Sequence, residues 1–267
     1  MSRSQFRTTE LSDPAFEAPN LRFLTVKTAT LHGRGDICLF VPDDAPRHLP
    51  LVVLLHGVYG SAWCWSQKGG AVATARAMIA AGEIGPCVIA MPSDGLWGDG
   101  SGYLAHHGRD FGRWIANEVP AAVREQIPTV TTRSPRFLAG LSMGGYGALR
   151  LGGAHPERFA GISAHSAITE LADMAAFVEE PLTKYEQPGR AAVIDDWIAH
   201  RGRTPPLRFD CGTDDDLLPA NRRLHRQLTA AGIDHEYHEF PGGHEWPYWI
   251  EHLRDTLRFF DRLARTG

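Results

Sequence analysis

The stretch Arg136–Ala154, RFLAGLSMGGYGALRLGGA, decides the interpretation of this sequence. It opens with a short apolar run that is typical of a buried strand, and it continues directly into an Ala-, Leu- and Gly-rich run that predicts a helix. At the junction, residues 140–144 (GLSMG) fit the pattern G-x-S-x-G. We therefore predict a strand over Arg136–Ala139, a sharp turn at Ser142 and a helix over Met143–Ala154.

This predicted turn has the geometry that a nucleophilic serine requires. A serine on a tight strand-to-helix turn is strained and exposed, and small neighbouring residues let the two backbones approach each other. The N-terminus of the following helix adds partial positive charge where an oxyanion would form. A chance match in a glycine-rich loop is the alternative, but it does not account for the strand and helix on either side. Ser142 is therefore the predicted nucleophile.

Outward from this turn, strand candidates alternate with helix candidates. Alternation of strands and helices of these lengths predicts an α/β protein with a mostly parallel, doubly wound sheet and helices on both faces. The candidate strands are LVVLLHG after Pro50, Cys87–Pro92, Phe159–Ala164, Leu207–Cys211 and His235–Phe240, and the candidate helices are Ala71–Ala81, Asp110–Gln126, Leu217–Ala231 and Glu245–Leu263.

The N-terminal region predicts a different arrangement. LRFLTVKTATL from Leu21 and DICLFVP from Asp36 flank the short segment HGRG, which predicts an antiparallel hairpin at a sheet edge. One domain is expected over residues 1–267, because this length suits a single large α/β domain and no linker is evident. Residues of about 1–20 form an N-terminal extension, and residues of about 166–206, where the alternation breaks, form an insertion near the site.

Composition excludes several classes of function. Hydrophobic residues make up 43% and charged residues 22% of the chain, which is ordinary for a globular protein. A net charge of −4 offers no basic surface for nucleic acid. No apolar run approaches the roughly 18 residues of a membrane helix, and the N-terminus lacks the apolar core of a signal peptide. We expect a cytoplasmic protein without nucleic-acid or membrane partners; a homo-oligomer is compatible with the sequence.

A nucleophilic serine needs a histidine as its base, and the histidine needs an acid to orient it. Behind a G-x-S-x-G turn the order along the chain is serine, acid, histidine. The chain has 13 histidines, so position decides between them. His244 follows the last predicted strand and precedes the last helix, which places it at the carboxyl edge of the sheet, where Ser142 is also expected. His244 is therefore the predicted base.

The acid is less well defined by the sequence. The strand that ends near Gly212 is followed by three adjacent carboxylates, Asp214, Asp215 and Asp216. Spacing alone does not identify which of the three is the acid. We predict Asp215, with Asp214 and Asp216 as the alternatives. Residues that do not serve as the acid are suited to cap the next helix.

Two backbone N–H groups are expected to hold the oxyanion. Met143 supplies one because it follows the nucleophile, and Val58 supplies the other because it lies in the loop after LVVLLHG. His56 precedes the serine and is expected to position this loop instead of acting as the base. Four side chains are expected to contact substrate, with less support from the pattern: Tyr59, Trp65, His165 and Trp246.

One loop region carries side chains of the types that bind metals. His106 and His107, together with Asp99 and Asp110, bring potential ligands into one loop region. Their spacing fits no zinc pattern. We expect neither a metal nor another cofactor.

Four segments carry a resemblance to a known family. They are LLHGVYGSAWCW, GLSMGGYGAL, CGTDDDLLPANRRL and GGHEWPYWIEHL. Together they resemble the putative-esterase family of α/β-hydrolases, which includes tributyrin and feruloyl esterases, S-formylglutathione hydrolases and the antigen 85 mycolyltransferases. The likeness runs from about Leu51 to Phe260. The pattern G-G-H-x-W-x-x-W in the last segment is more specific than G-x-S-x-G.

The resemblance implies both a fold and an activity. It implies the α/β-hydrolase fold and a serine carboxylesterase that hydrolyses short-chain acyl or small aromatic esters through an acyl-enzyme intermediate. A thioesterase of the S-formylglutathione hydrolase type, or an acyltransferase on the same triad, is the alternative. The family's acid follows a G-x-x-D pattern, which falls on Asp215, and its oxyanion amide falls on Val58. The implied partner is a small-molecule ester.

Overall fold

The computed structural model describes residues 4–43, 45–186 and 192–266. Its centre is a nine-stranded sheet in the order β1-β2-β3-β5-β4-β8-β9-β10-β11, with a separate two-stranded ribbon, β6-β7. The strands are β1 (Thr9–Leu11), β2 (Leu21–Thr28), β3 (Gly33–Phe40), β4 (Leu51–Leu55), β5 (Val88–Pro92), β6 (Ala105–His106), β7 (Arg109–Asp110), β8 (Arg136–Leu141), β9 (Gly161–His165), β10 (Leu207–Gly212) and β11 (Glu236–Phe240).

Neighbouring strands from β5 to β11 across the main sheet are parallel, and β1, β2 and β3 add antiparallel pairs at one side. The central strand β4 is buried at every residue, as expected for a strand covered on both faces. Leu51, Val53 and Leu55 enter one hydrophobic core, whereas Val52 and Leu54 enter the other. This alternation has the two-residue period of a strand, and the predicted mostly parallel α/β sheet with an N-terminal antiparallel hairpin is confirmed.

Helices cover both faces of the sheet. They are α1 (Ala71–Ala80), α2 (Phe111–Arg113), α3 (Val119–Gln126), α4 (Met143–Ala154), α5 (Val193–Ala199), α6 (Leu218–Ala230) and α7 (Trp246–Thr266). Side chains of α1 and α7 pack into one core, and those of α2 through α6 pack into the other. A π-helical turn over Trp114–Glu118 joins α2 to α3, so the helix predicted over Asp110–Gln126 is present but locally widened. None of the helices within the described residues is both long enough and apolar enough to cross a bilayer.

The predicted hairpin is present, but its turn and its place in the sheet were wrong. β2 and β3 pair antiparallel from Leu21↔Phe40 to Thr28↔Gly33, so the strand begins inside HGRG. Glycine is needed at position 35 of this strand because a Cβ there would lie 2.5 Å from the Trp114 ring. β1, from the segment assigned to the N-terminal extension, pairs with β2 and forms the true edge. A three-residue strand is too short to produce a recognisable alternation.

The segment predicted as an insertion lies between β9 and β10. It contains 3₁₀ turns over Leu171–Ala176 and Leu182–Tyr185, followed by α5. Trp197 of α5 is fully buried, and its indole N–H donates to Leu149 O of α4 at 2.8 Å, which fixes α5 against the helix that follows Ser142. Residues 187–191 of this segment, and residues 1–3 of the N-terminal extension, lie outside the described residues.

Candidate active site

Ser142 occupies the turn between β8 and α4. Its backbone lies in the left-handed region, with φ 53° and ψ −119°, which is costly for a residue with a side chain. The surrounding structure holds it there: Ser142 N donates to His165 O at 2.9 Å and Ser142 O accepts from Tyr146 N at 3.0 Å. The turn thus directs a serine side chain outward at the start of a helix.

Glycine is required on both sides of this turn. A Cβ at Gly140 would lie 2.3 Å from Gly144 O, and one at Gly144 would lie 2.4 Å from Leu55 O. Both contacts are with backbone atoms, which cannot move aside cheaply. The glycines of G-x-S-x-G are therefore explained by the close approach of β8, α4 and β4.

The three predicted triad residues meet in space. His244 Nε2 lies 3.0 Å from Ser142 Oγ, and His244 Nδ1 lies 2.9 Å from Asp215 Oδ2 and 3.1 Å from Oδ1. Ser142 precedes α4, Asp215 follows β10 and His244 follows β11, so parallel strand order brings all three to one edge of the sheet. The arrangement can pass a proton from a hydroxyl to an imidazole that a carboxylate orients.

Asp215 is well suited to remain ionised. Its carboxylate is fully buried, and Leu217 N donates to Oδ1 at 2.8 Å in addition to the contacts with His244. Burial raises the pKa of Asp215, but the hydrogen bond and charge of His244 together with the Leu217 amide outweigh it, and the pKa is lowered. Asp214 and Asp216 are exposed. Of the three adjacent carboxylates, Asp215 is the one that contacts His244.

The loop after β4 is positioned by His56. Asp94 N–H donates to His56 Nε2 at 3.1 Å, so the ring proton is on Nδ1, which donates to Gly57 O at 2.7 Å. Because the peptide unit is planar and trans, fixing Gly57 O also fixes the direction of the Val58 N–H. At the other donor, Met143 is the first residue of α4, where a backbone N–H has no partner within the helix. The oxyanion role of Val58 and Met143 stays a prediction.

Ser142 and His244 open into a cavity of about 290 Å³, here called the Ser142 cavity. Its walls are largely aromatic and aliphatic, and Tyr59 and Trp246, both predicted to contact substrate, are among them. Phe177 stacks on His244 with ring centroids 5.3 Å apart, and Trp249 packs edge-on against it at 5.0 Å. The lining residues are His56, Gly57, Val58, Tyr59, Gly60, Trp63, Cys64, Lys68, Leu141, Ser142, Phe177, His244, Trp246 and Trp249.

Two of the predicted substrate contacts were wrong. His165 is fully buried and bonded at both ring nitrogens, to Asp210 and to Thr256, so it cannot reach the cavity. Trp65 is 1% exposed, and its indole N–H donates to Leu55 O at 2.9 Å, so it supports Trp246 from behind. His165 is the last residue of β9 and Trp65 lies in the helical turn Cys64–Lys68, but both side chains turn toward the core.

The residues considered for a metal have other partners. His106 is buried, its Nε2 lies 3.0 Å from Ser101 O, and its ring packs against Trp97 and Phe111. Within the described part of the chain, no three His, Cys, Asp or Glu side chains come together as metal ligands.

Sequence reasoning missed Phe177 and Lys68 as parts of the cavity. Phe177 comes from the segment between β9 and β10, which has no periodicity and no motif, so nothing in the pattern placed it against His244. Lys68 is the last residue of a helical turn over Cys64–Lys68, and packing against Trp246 brings it to the cavity wall. Trp249 had a signal, since it is the last tryptophan of G-G-H-x-W-x-x-W.

Comparisons with known proteins find esterases among the relatives of this chain. An acetyl esterase of Caldicellulosiruptor saccharolyticus is 28% identical over 245 residues, covering 84% of this chain and 88% of the relative. An esterase of Mycobacterium tuberculosis (strain ATCC 25618 / H37Rv) is 26% identical over 267 residues, but this chain spans only 56% of its length.

Solved structures share the fold. An S-formylglutathione hydrolase from Staphylococcus aureus superposes with a TM-score of 0.76 at 18% identity, covering 96% of this chain and 99% of that one. A ferulic acid esterase superposes with a TM-score of 0.72 at 23% identity, with the same coverage. Residues 28–260 match the sequence model of the putative esterase family. Strands β3 to β11 and every described residue that lines the Ser142 cavity lie inside that match, and the chain belongs to the putative esterase family.

Proposed function

We propose that Ser142, His244 and Asp215 are the catalytic triad of a serine carboxylesterase that hydrolyses short-chain acyl or small aromatic esters. The observation that carries this proposal is the continuous hydrogen-bonded chain from Asp215 through His244 to Ser142 Oγ, beside an aromatic cavity. Neutral His244 accepts the serine proton on Nε2, and Asp215 keeps the other ring proton on Nδ1 and stabilises the imidazolium that forms.

Each step uses groups already in contact. Ser142 Oγ attacks the ester carbonyl carbon, and the N–H groups of Val58 and Met143 bind the resulting oxyanion. Each such donor stabilises the transition state by about 3–4 kcal/mol. His244 then protonates the leaving oxygen, and the alcohol departs from the acyl-enzyme. Water attacks the acyl carbon while His244 takes its proton, and collapse of the second oxyanion releases the acid and restores Ser142.

Cavity size supports a small substrate. A volume of about 290 Å³ lies just below the roughly 300–1,000 Å³ of ordinary ligand sites. Aromatic walls suit either a short acyl chain or a single ring. The name of the relative from C. saccharolyticus, acetyl esterase, points to the same size class.

A panel of p-nitrophenyl esters from acetyl to octanoyl tests this proposal, together with feruloyl esters and matched acyl-thioesters. We expect kcat/KM to be largest for acetyl or butyryl esters and to fall with longer chains. A higher kcat/KM for thioesters would favour the S-formylglutathione hydrolase type. Transfer of the acyl group to an added alcohol in preference to water would favour an acyltransferase.

A further inference from the structure

The wall of the Ser142 cavity carries one charged side chain that the triad does not use. Among the described residues that line the cavity, Lys68 alone bears a fixed charge; the others are glycines, aliphatic and aromatic residues, a cysteine, Ser142 and two histidines. Sites for small ligands place a few polar groups in largely apolar walls, and those groups determine orientation and specificity. An ammonium group in such a wall is a candidate for substrate selection.

The ammonium is held against the aromatic wall. Lys68 Nζ lies 5.7 Å from the ring centroid of Trp246, within the range of a cation–π contact. Trp246 in turn packs edge-on against Trp65 at 5.6 Å and Trp249 at 5.4 Å, so the ring beneath the ammonium is itself fixed. Gly69 allows this packing, because a Cβ there would lie 2.6 Å from the Trp246 ring.

Lys68 has no carboxylate partner within residues 4–43, 45–186 and 192–266. Carboxylates act instead on Tyr59, which also lines the cavity. Partial desolvation and the charges of Asp99, Glu179 and Glu180 raise the pKa of Tyr59. The electrostatic field across the cavity therefore favours an anionic group beside Lys68 and disfavours one beside Tyr59.

A row of contacts connects this ammonium to the reacting groups. Trp249 packs edge-on against His244, Trp246 packs edge-on against Trp249, and Lys68 lies over Trp246. In the triad mechanism the histidine protonates the leaving group, so the leaving group must lie beside His244. The part of the substrate that follows this wall to Lys68 is therefore the alcohol portion of the ester.

We propose that Lys68 is a specificity-determining residue that binds a carboxylate carried by the alcohol portion of the ester. This inference rests on the proposed function, because it names the substrate class of the same site. Lys68 also ends the short helical turn Cys64–Lys68, where a cation is favourable by itself. That helix-terminal role would be satisfied by any lysine rotamer and does not depend on a substrate charge, so the two roles are separable by experiment.

The test uses pairs of acetyl esters that differ only in charge. The acetyl esters of 4-hydroxybenzoate, 4-hydroxyphenylacetate and 3-(4-hydroxyphenyl)propionate are compared with those of the corresponding neutral amides, which places the carboxylate at three distances along the wall. The measured quantity is the ratio of kcat/KM for the carboxylate to that for its amide. Intrinsic reactivity and any general loss of activity cancel when this ratio is compared between variants.

In wild type we expect one of the three spacings to show the highest ratio. In Lys68→Met that ratio falls about five- to tenfold, mainly through KM, and in Lys68→Glu it falls further, while Lys68→Arg keeps it within about twofold. Added salt should reduce the wild-type preference. Lys27→Met is the matched control, because Lys27 is an exposed lysine on β2 outside the cavity lining and its loss should leave the ratio unchanged.

A ratio that is unmoved in Lys68→Met at all three spacings, or that moves equally in Lys27→Met, would overturn this inference. In that case, continued hydrolysis of the acetyl esters that carry a neutral amide would leave the proposed function intact. Absence of ester hydrolysis in wild type, or hydrolysis that survives Ser142→Ala, would instead overturn the proposed function and this inference with it.

Discussion

The same order of carboxylate, imidazole and hydroxyl groups occurs in two regions of the molecule. In the cavity, Asp215 contacts His244 at 2.9 Å and His244 contacts Ser142 at 3.0 Å. In the core, Asp210 contacts His165 at 3.0 Å and His165 contacts Thr256 Oγ1 at 2.9 Å. Hydrogen-bond distances alone therefore do not distinguish a reactive triad from a structural one.

Solvent exposure distinguishes the two hydrogen-bonded networks. His244 has 23% of its side chain exposed and borders the cavity with Ser142. Asp210, His165 and Thr256 are each 0% exposed, so no substrate carbonyl can approach the Thr256 hydroxyl. Thr256 also contacts Ser163 Oγ at 2.6 Å, which occupies the hydroxyl.

Backbone position is the second difference. Ser142 is held at φ 53° at the N-terminus of α4, where helix N–H groups can stabilise an oxyanion. Thr256 lies in the middle of α7, where the backbone N–H groups are engaged within the helix. In the proposed triad, the strained turn and the N-terminus of α4 therefore contribute to reactivity together with the three side chains.

The buried network of Asp210, His165 and Thr256 stabilises the fold instead. It joins β9, β10 and α7, and it includes Arg208 and Tyr248, both of which donate to the Asp210 carboxylate. Burial raises the pKa of Asp210, but the charge and hydrogen bonds of His165, followed by Arg208 and Tyr248, outweigh it and hold the pKa below its ordinary range. Since His165 O accepts from Ser142 N, this network also supports the turn that holds Ser142.

Replacement of Ser142 should give the largest effect. Ser142→Ala removes the attacking atom, and we expect kcat to fall roughly 10⁶-fold, as in other triad enzymes that lose the nucleophile. Ester assays measure the loss, and peptide mapping after fluorophosphonate treatment locates the label. Covalent labelling of Thr256 in wild type, or full turnover in Ser142→Ala, would contradict the assignment of reactivity to the cavity.

Replacement of the cavity acid should give the next largest effect. Asp215→Asn leaves His244 with the wrong tautomer and an unstabilised imidazolium, and we expect kcat to fall by roughly 10⁴. Asp214→Asn and Asp216→Asn are the controls, since both residues are exposed, and each should stay within about tenfold of wild type. A comparable loss in Asp214→Asn would show that the acid is misassigned by one residue.

Replacement of the buried acid should act on stability. Asp210→Asn removes the charge that faces Arg208 and His165, and we expect a loss of about 3–5 kcal/mol in the free energy of unfolding. Urea unfolding followed by fluorescence measures it, with exposed Asp216→Asn as the control. If Asp210→Asn unfolds like wild type yet loses activity as Asp215→Asn does, the separation into a reactive and a structural network is wrong.

Removal of the buried hydroxyl sharpens the same separation. Thr256→Val keeps the shape but leaves His165 Nε2 without its partner, which should cost about 1–3 kcal/mol of stability. Turnover of the folded protein should remain within about twofold of wild type, because Thr256 is remote from substrate. Thr256→Ser retains the hydroxyl and should therefore recover the part of the stability that depends on the hydrogen bond to His165.

The smallest expected effect is on the pH dependence of stability. Asp210 and Asp215 have pKa values that are lowered in the folded state, so their contribution is present above the unfolded value near 3.9 and is lost as pH falls toward the folded value. The free energy of unfolding should therefore decline below about pH 4. Urea unfolding across this range should show a shallower decline in Asp210→Asn. An equal decline in both proteins would mean that Asp210 does not carry this dependence.

The sequence by itself determined the elements that recur with a clear period and the residues in motifs. Apolar runs predicted β4, β5, β8, β9 and β10 to within a few residues, because a strand buried on both faces needs uninterrupted apolar side chains. G-x-S-x-G predicted the turn at Ser142, because only glycine permits the backbone approaches at residues 140 and 144. Chain order placed the candidate acid and base, since parallel strands end at one edge of the sheet.

Tertiary structure alone decided which side chains face the cavity. His165 and Phe177 show this: a histidine at the end of a strand beside the site turns into the core to satisfy Asp210, whereas a phenylalanine from a segment without periodicity stacks on His244. The pattern of a sequence reports the spacing of side chains along one element, but the direction of a side chain at the end of an element depends on partners that other elements bring. Lys68 and the buried Asp210 network belong to that second category.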